Sequence, residues 1–319
     1  MNVLILIMGC RHEFFQHEID VIMDTWGSRL PENFDIMYYD GGWEENVIEG
    51  NHIKTNVDDG LQATFLKTYN ALYQVMMLGK YDWILRVNTS TYVNVPLLDK
   101  FIKDIAKQDI LYTAELYSLS ESPCPEPLDI YARGNAILMS MAMCRILLTE
   151  GINLMHLNIV DDVSIGNVLN SYFIKISGNH YGYLDHIKSF PHAWYRCVDQ
   201  EFDCGHALSC YGKNGDMNYY NDFITIQTKM YRNRDKEIDN MKSLWDMMKN
   251  APTPSLDVTY NYIDNPSVFI GSIIGYIPYS DWKKIDKNKL YMYEVQHKAI
   301  DDKENSNYNK NEYNKLNSF

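Results

Sequence analysis

Two clusters of side chains in this chain have the types and spacing for chemistry. The first is Asp161-Asp162, set just before the helically spaced apolar residues Ile165, Val168, Leu169 and Tyr172. Both carboxylates therefore fall at or near a helix N-terminus, where negative charge is favoured. The same pair would also serve as an ordinary helix cap. The second is Asn88-Thr89-Ser90, which ends the short apolar run Trp83 to Val87. A buried strand that stops at small polar groups delivers them to a cleft, and in open α/β sheets ligands bind beyond such carboxyl ends. An ordinary turn would use the same residues.

Several further residues could act with these. Arg11 follows the apolar run Val3 to Met8, and Asp40 opens the turn Asp40-Gly41-Gly42. His192 stands in Phe190-Pro191-His192. Cys197, Cys204 and Cys210, with His206, suggest zinc, but their spacing lacks the paired C-x2-C knuckle of strong zinc signals. Reduced thiols, or one disulfide in an oxidising compartment, are expected instead.

The elements that must position these groups follow from periodicity. Val3 to Met8 reads as a strand covered on both faces. Phe15, Ile19, Ile22, Met23 and Trp26 have helical spacing, stopped by Gly27. Phe34 to Tyr39 is a second strand, which makes a βαβ unit and a parallel sheet. After the polar turn 56–60, Leu61, Phe65, Tyr69, Leu72, Tyr73 and Met76 mark an amphipathic helix ending at Gly79. Pro96 suits the first turn of the next helix, with Leu97, Leu98, Phe101, Ile102 and Ile105 on its core side. Ile110 to Ala114 and Tyr131 to Met139 read as strands, joined by a Pro-rich loop, 115–127. Ser140 caps a helix, Met141 to Leu148. Phe173 to Ser177 has the composition of a strand, and Ile238, Met241, Leu244, Trp245 and Met248 mark a late helix.

Composition excludes some functions. The chain has 319 residues, 46% of them hydrophobic, enough for a large core. A net charge of −13 argues against nucleic acid, whose binding needs clustered cations. It also argues against a polybasic membrane surface. The first apolar run is too short to span a bilayer and lacks a basic n-region, so a soluble, cytoplasmic protein with no transmembrane segment is expected. The expected organisation is a core over 1–205, an extension packed on it over 206–300, and a disordered tail over 301–319. The extension either covers the site or mediates self-association as a homo-oligomer.

The order of these blocks resembles the β-1,3-glycosyltransferases of family 31, which include the Fringe and β-1,3-galactosyltransferase enzymes. Arg11 and Thr25-Trp26 fit the end of the family's first strand and its "TW". Lys67-Thr68 fits its "KT", and Tyr81 to Asn94 fits the strand carrying "DDDTYVN". Tyr131-x-x-Gly134 with Ser140, and Asp161-Asp162-Val163-Ser164-Ile165-Gly166, fit "Y-x-x-G…S" and "EDVxxG". The match runs from Val3 to His192.

The resemblance implies an α/β fold of the GT-A type: a nucleotide-sugar transferase with a mostly parallel central sheet flanked by helices. It implies an inverting transferase that moves a hexose or N-acetylhexosamine from a UDP-sugar to a glycan hydroxyl, through a β-1,3-type linkage. Asp162 takes the place of the base, and Asp161 supports it or holds the acceptor. Asp40 stands where the second strand reaches uracil, and Arg11, Arg86 or Arg196 would face the diphosphate. The family's metal-binding carboxylates are replaced here by Asn88, Thr89 and Ser90, whose neutral oxygens are poor sole ligands for Mn or Mg. Two arrangements are left open: a metal held by the diphosphate and His192, or a diphosphate held without metal. A non-catalytic module that binds a glycan or nucleotide sugar is the alternative on the same fold.

Overall fold

The computed structural model describes residues 1–107, 112–118, 130–151, 161–177, 187–189, 192–194, 224–228, 235–250, 267–269 and 276–278. The cysteine cluster at 197–210, Arg196, residues 119–127 of the expected loop and the tail from 301 lie outside the described residues.

The chain opens with β1 (Val3–Met8), whose side chains are buried on both faces. Val3, Ile5 and Ile7 enter one apolar layer, and Leu4 and Leu6 the opposite one. Each such side chain contributes about 1.5–3 kcal/mol on burial, which explains an apolar run without alternation. Helix α1 (Glu13–Asp24) leads to β2 (Phe34–Asp40), which pairs parallel to β1. Two short strands absent from the sequence reading follow, β3 (Val47–Glu49) and β4 (His52–Lys54). Helix α2 (Thr64–Met77) then returns the chain to β5 (Trp83–Asn88), on the other side of β1.

β6 (Thr91–Val93) and α3 (Val95–Ile105) come next. The Asn94 side chain caps α3 by accepting from Leu97 N, and Pro96 sits in the first turn. β7 (Tyr112–Ser118) and β8 (Ile130–Ser140) form an antiparallel pair. Ser140 Oγ accepts from Met143 N at 3.2 Å to cap α4 (Met141–Glu150). α5 (Asp161–Ser177) begins at the paired carboxylates. Beyond it lie β9 (Ile187–Ser189), β10 (His192–Trp194), β11 (Thr225–Gln227), α6 (Asp235–Met248), β12 (Ser267–Phe269) and β13 (Tyr276–Pro278).

The main sheet has the order β3-β4-β2-β1-β5-β8-β7-β9. β3 and β8 run against the other six strands, so the sheet is mostly parallel. Helices α1, α3 and α6 cover one face, and α2, α4 and α5 the other. This is a mixed α/β fold with helices on both faces of its sheet. A smaller sheet, β10-β11-β6, grows directly from the end of β5.

Three expectations are corrected. Residues 115–118 continue β7 in its pairing with β8 rather than open a loop. Phe173 to Ser177 is the last part of α5, not a strand. It carries three β-favouring residues, Phe173, Ile174 and Ile176, but it continues the helix that starts at Asp161, and Phe173 packs in the same layer as Val168 and Leu169. Leu61 does not start α2; it belongs to a preceding 3-10 turn and is exposed.

Candidate active site

β1 lies between β2 and β5, and the chain visits β2 before crossing to β5. The switch point is thus the crevice outside the carboxyl ends of β1 and β5. Met8 pairs in register with Asn88 on one side and Tyr39 on the other, which aligns the three strand ends. Two side-chain clusters form at this edge.

The first surrounds Arg86. By strand alternation this position faces the core layer with Ile84, and its guanidinium is fully buried. Nη2 pairs with Asp161 Oδ2 at 2.6 Å and contacts Met8 Sδ at 2.9 Å. Nη1 donates to Asn88 Oδ1 at 2.8 Å and to the Gly134 carbonyl. Burial is the largest influence and disfavours the Arg86 charge, but Asp161, Tyr39 and Asp162 together outweigh it and hold the pKa above its ordinary value. Asp161 Oδ2 also accepts from Thr68 Oγ1 at 3.1 Å, and Asp161 N donates to Thr64 Oγ1 at 3.1 Å. Tyr39 OH lies 2.7 Å from the same Thr68 hydroxyl.

Asp162, the next residue, is more accessible than Asp161. Its Oδ2 accepts from Gly134 N at 2.9 Å and its Oδ1 from Val163 N at 2.8 Å. A Cβ on residue 134 would stand 3.0 Å from Asp162 Oδ2, so any side chain there would make the carboxylate shift by a few tenths of an ångström. Burial first, and the Asp161 charge second, push the Asp162 carboxyl up to about 6. A carboxylate with that proton affinity is suited to accept a proton near neutral pH.

The second cluster lies beyond β2. Asp40 is buried, and its Oδ1 accepts from Trp43 Nε1 at 2.5 Å and lies 2.8 Å from His52 Nε2. Tyr38 stacks on His52, with centroids 4.4 Å apart. Arg11 is exposed; its guanidinium lies 4.6 Å from the centre of the Trp43 ring and donates to Gly42 O at 2.7 Å. Its side-chain contacts among the described residues are thus a ring and a neutral carbonyl. Lys54 Nζ also approaches the Trp43 ring, at 4.2 Å, while pairing with Glu49. The Gly-Gly turn is obligatory: Gly42 has φ +76°, and a Cβ on Gly41 would lie 2.7 Å from Val57 O.

The structure places the remaining sequence candidates elsewhere. Thr89 is buried and donates to Glu18 on α1. Ser90 is buried too: its hydroxyl accepts from Gln227 Nε2 at 2.7 Å, and its carbonyl accepts from Thr228 N and Oγ1. Of the three polar residues ending β5, only Asn88 remains half-exposed. The His192 backbone pairs with Thr225 in the smaller sheet, and its side chain lies outside the described residues.

This donor set does not fit a divalent metal at the end of β5. Asn88 Oδ1 is already an acceptor for Arg86, and Thr89 and Ser90 are bound into packing contacts. Among the described residues no group of three or more His, Cys, Asp and Glu could hold a metal ion.

Sequence reasoning missed Asp59, Trp43 and the role of Thr68. Asp59 accepts from Arg11 N at 2.6 Å, Gly41 N at 2.8 Å and Lys67 Nζ at 2.8 Å, tying the ends of β1 and β2 to α2. Its signal was Lys67, a cation on the buried face of α2 that required a nearby acid. Cys10 and Cys144 are buried free thiols. No helix among the described residues is long and apolar enough to cross a membrane.

No family model matches the sequence, and no curated protein matches it. The solved structures similar in fold include two glycosyltransferases. One is a glycosyltransferase involved in the glycosylation of the major capsid of PBCV-1, at 12% identity and TM-score 0.44, covering 76% of this chain and 100% of that one. The other is galactosyltransferase LgtC in complex with donor and acceptor sugar analogs, at 11% identity and TM-score 0.43, covering 82% of this chain and 100% of that one.

Proposed function

We propose that this protein is a glycosyltransferase that moves a hexose or N-acetylhexosamine from a UDP-sugar to a glycan hydroxyl, with inversion and a β-1,3-type linkage. The observation that carries this reading is Asp162: a carboxylate of raised proton affinity, held by the Gly134 amide beside the switch-point crevice. In the reaction, Asp162 takes the acceptor hydroxyl's proton as that oxygen bonds to the anomeric carbon. The bond from that carbon to the diphosphate oxygen breaks, and UDP leaves with the electron pair. Arg11, exposed at the end of β1, supplies cationic charge for the leaving diphosphate. Arg86 and Asp161 are buried against each other, and in this reading they support Asp162 from behind.

The test is UDP release from UDP-Gal, UDP-GlcNAc and UDP-Glc with oligosaccharide acceptors. Asp162→Asn is expected to lower turnover on the order of a thousandfold. Full activity in that variant sinks the base assignment. Because the β5 end does not suit a divalent ion, EDTA is expected to leave turnover unchanged. Loss with EDTA and recovery with Mn would instead require metal ligands elsewhere.

A second reading, a non-catalytic module binding a glycan or nucleotide sugar, is favoured by the packing roles of Thr89 and Ser90. Calorimetry separates the two: glycan binding with no affinity for any UDP-sugar, with or without Mn, selects the module.

A further inference from the structure

We infer that Arg86 is a positioning residue for Asp162, fixing where that carboxylate sits through two separate routes. This rests on the reading of Asp162 as the reacting carboxylate.

The first route runs through the backbone of α5. Arg86 holds Asp161 Oδ2 at 2.6 Å, Thr68 donates to the same oxygen, and Thr64 accepts from Asp161 N. The first residue of α5 is thus clamped between β5 and α2, and Asp162 is bonded to it. The second route runs through β8. Gly134 accepts from Arg86 with its carbonyl and donates to Asp162 Oδ2 with its amide. The guanidinium therefore fixes both the helix that carries Asp162 and the strand residue that grips its carboxylate.

The same charges act on Asp162 in opposite senses. The Asp161 charge raises its proton affinity, and the Arg86 charge lowers it. The other titratable groups near it among the described residues are Tyr112 on β7, which senses the Asp162 charge, and Tyr39 on β2, close to Arg86 and Asp161. Lys67 on α2 is turned away, to Gly9 O and Asp59. Asn88 completes the arrangement. It takes an Arg86 hydrogen bond as a neutral acceptor, which leaves Asp161 as the carboxylate partner. A carboxylate at position 88 would compete for the guanidinium. A neutral residue at the end of β5 is therefore what a buried Arg86–Asp161 pair calls for.

The experiment is a carbon-13 NMR titration of the Asp162 carboxyl in the full-length, substrate-free protein, assigned with Asp162→Asn. Arg86→Met is expected to raise the Asp162 midpoint, and Asp161→Asn to lower it, each by about one unit or more. The double variant Arg86→Met/Asp161→Asn should fall between the two, and it folds without an unpaired buried charge if Arg86→Met alone does not. Arg86→Lys keeps the charge but not the forked contacts. It should leave the midpoint near that of wild type and lower kcat with KM unchanged. A midpoint that does not move, or that moves in the same direction in both single variants, overturns the inference. The titration needs no turnover, so its result is separate from that of the transfer assay. Opposite shifts in a protein that transfers no sugar uphold the role of Arg86 and remove the transferase reading.

Discussion

Asp162 gives up stability at the pH where it would react. Its folded pKa of about 6 lies above the ordinary 3.8, so the folded state binds this proton more tightly than the unfolded chain does. Its contribution to stability is full below about pH 4 and is lost as pH rises through about 6. Activity runs the other way, because a base must be unprotonated: kcat/KM is expected to rise with pH to a plateau, with a midpoint near 6. Urea midpoints should fall over the same interval in wild type and stay flatter in Asp162→Asn. Gly134 is the other residue that decides the site. In Gly134→Ala the new Cβ meets Asp162 Oδ2 at 3.0 Å and its Cβ and Cγ at 3.3 Å. Overpacking of this kind costs about 1–3 kcal/mol. Turnover should fall more than tenfold, as about 1.4 kcal/mol of lost transition-state stabilisation already removes tenfold. Steady-state kinetics and urea denaturation of the purified variant check both parts.

At the scale of elements, α2 acts as a bracket. Its Thr64 and Thr68 hydroxyls receive and give hydrogen bonds at the start of α5, and its Lys67 joins the end of β1 to Asp59. Thr68→Val keeps the shape but leaves Tyr39 OH and Asp161 Oδ2 each short of a buried partner. Stability should drop by about 1–3 kcal/mol, read from chemical denaturation. The pH midpoint of activity should also shift, since Asp161 is the like charge beside Asp162. An unchanged profile with lost stability would limit Thr68 to packing.

For the whole molecule, the late residues 224–228 and 235–250 contribute to the core. Ile224, Ile226, Met241, Leu244 and Met248 pack in the layer that contains Val3, Ile19 and Phe101. β11 pairs antiparallel with β6, and Thr228 and Gln227 grip Ser90. A chain ended at residue 205 would expose this face of the sheet and leave Ser90 unpartnered. It is expected to lose its cooperative urea transition and to bind a dye for apolar surface, whereas the full chain does neither. A cooperative transition in the shortened chain would show that residues 1–205 fold alone.

The sequence by itself determined the elements whose patterns are local. β1 is a continuous apolar run, β2 and β5 are mainly apolar ones, α1 and α3 have helical spacing, and Asn94 and Ser140 are caps that act within three residues. The parallel βαβ order followed from the alternation of those runs. The placement of Asp161 and Asp162 at a helix start was equally legible, because a helix N-terminus is a short-range signal. Only the tertiary structure decided what each polar residue faces. Thr89 and Ser90 read as cleft residues, yet their partners are Glu18, 71 positions away, and Gln227, 137 positions away. Arg86 reads as a diphosphate cation, yet it is buried on Asp161. A hydrogen bond carries no signature in the sequence between its partners, so the division between residues that hold the site and residues that face the substrate exists only once the sheet has brought them together.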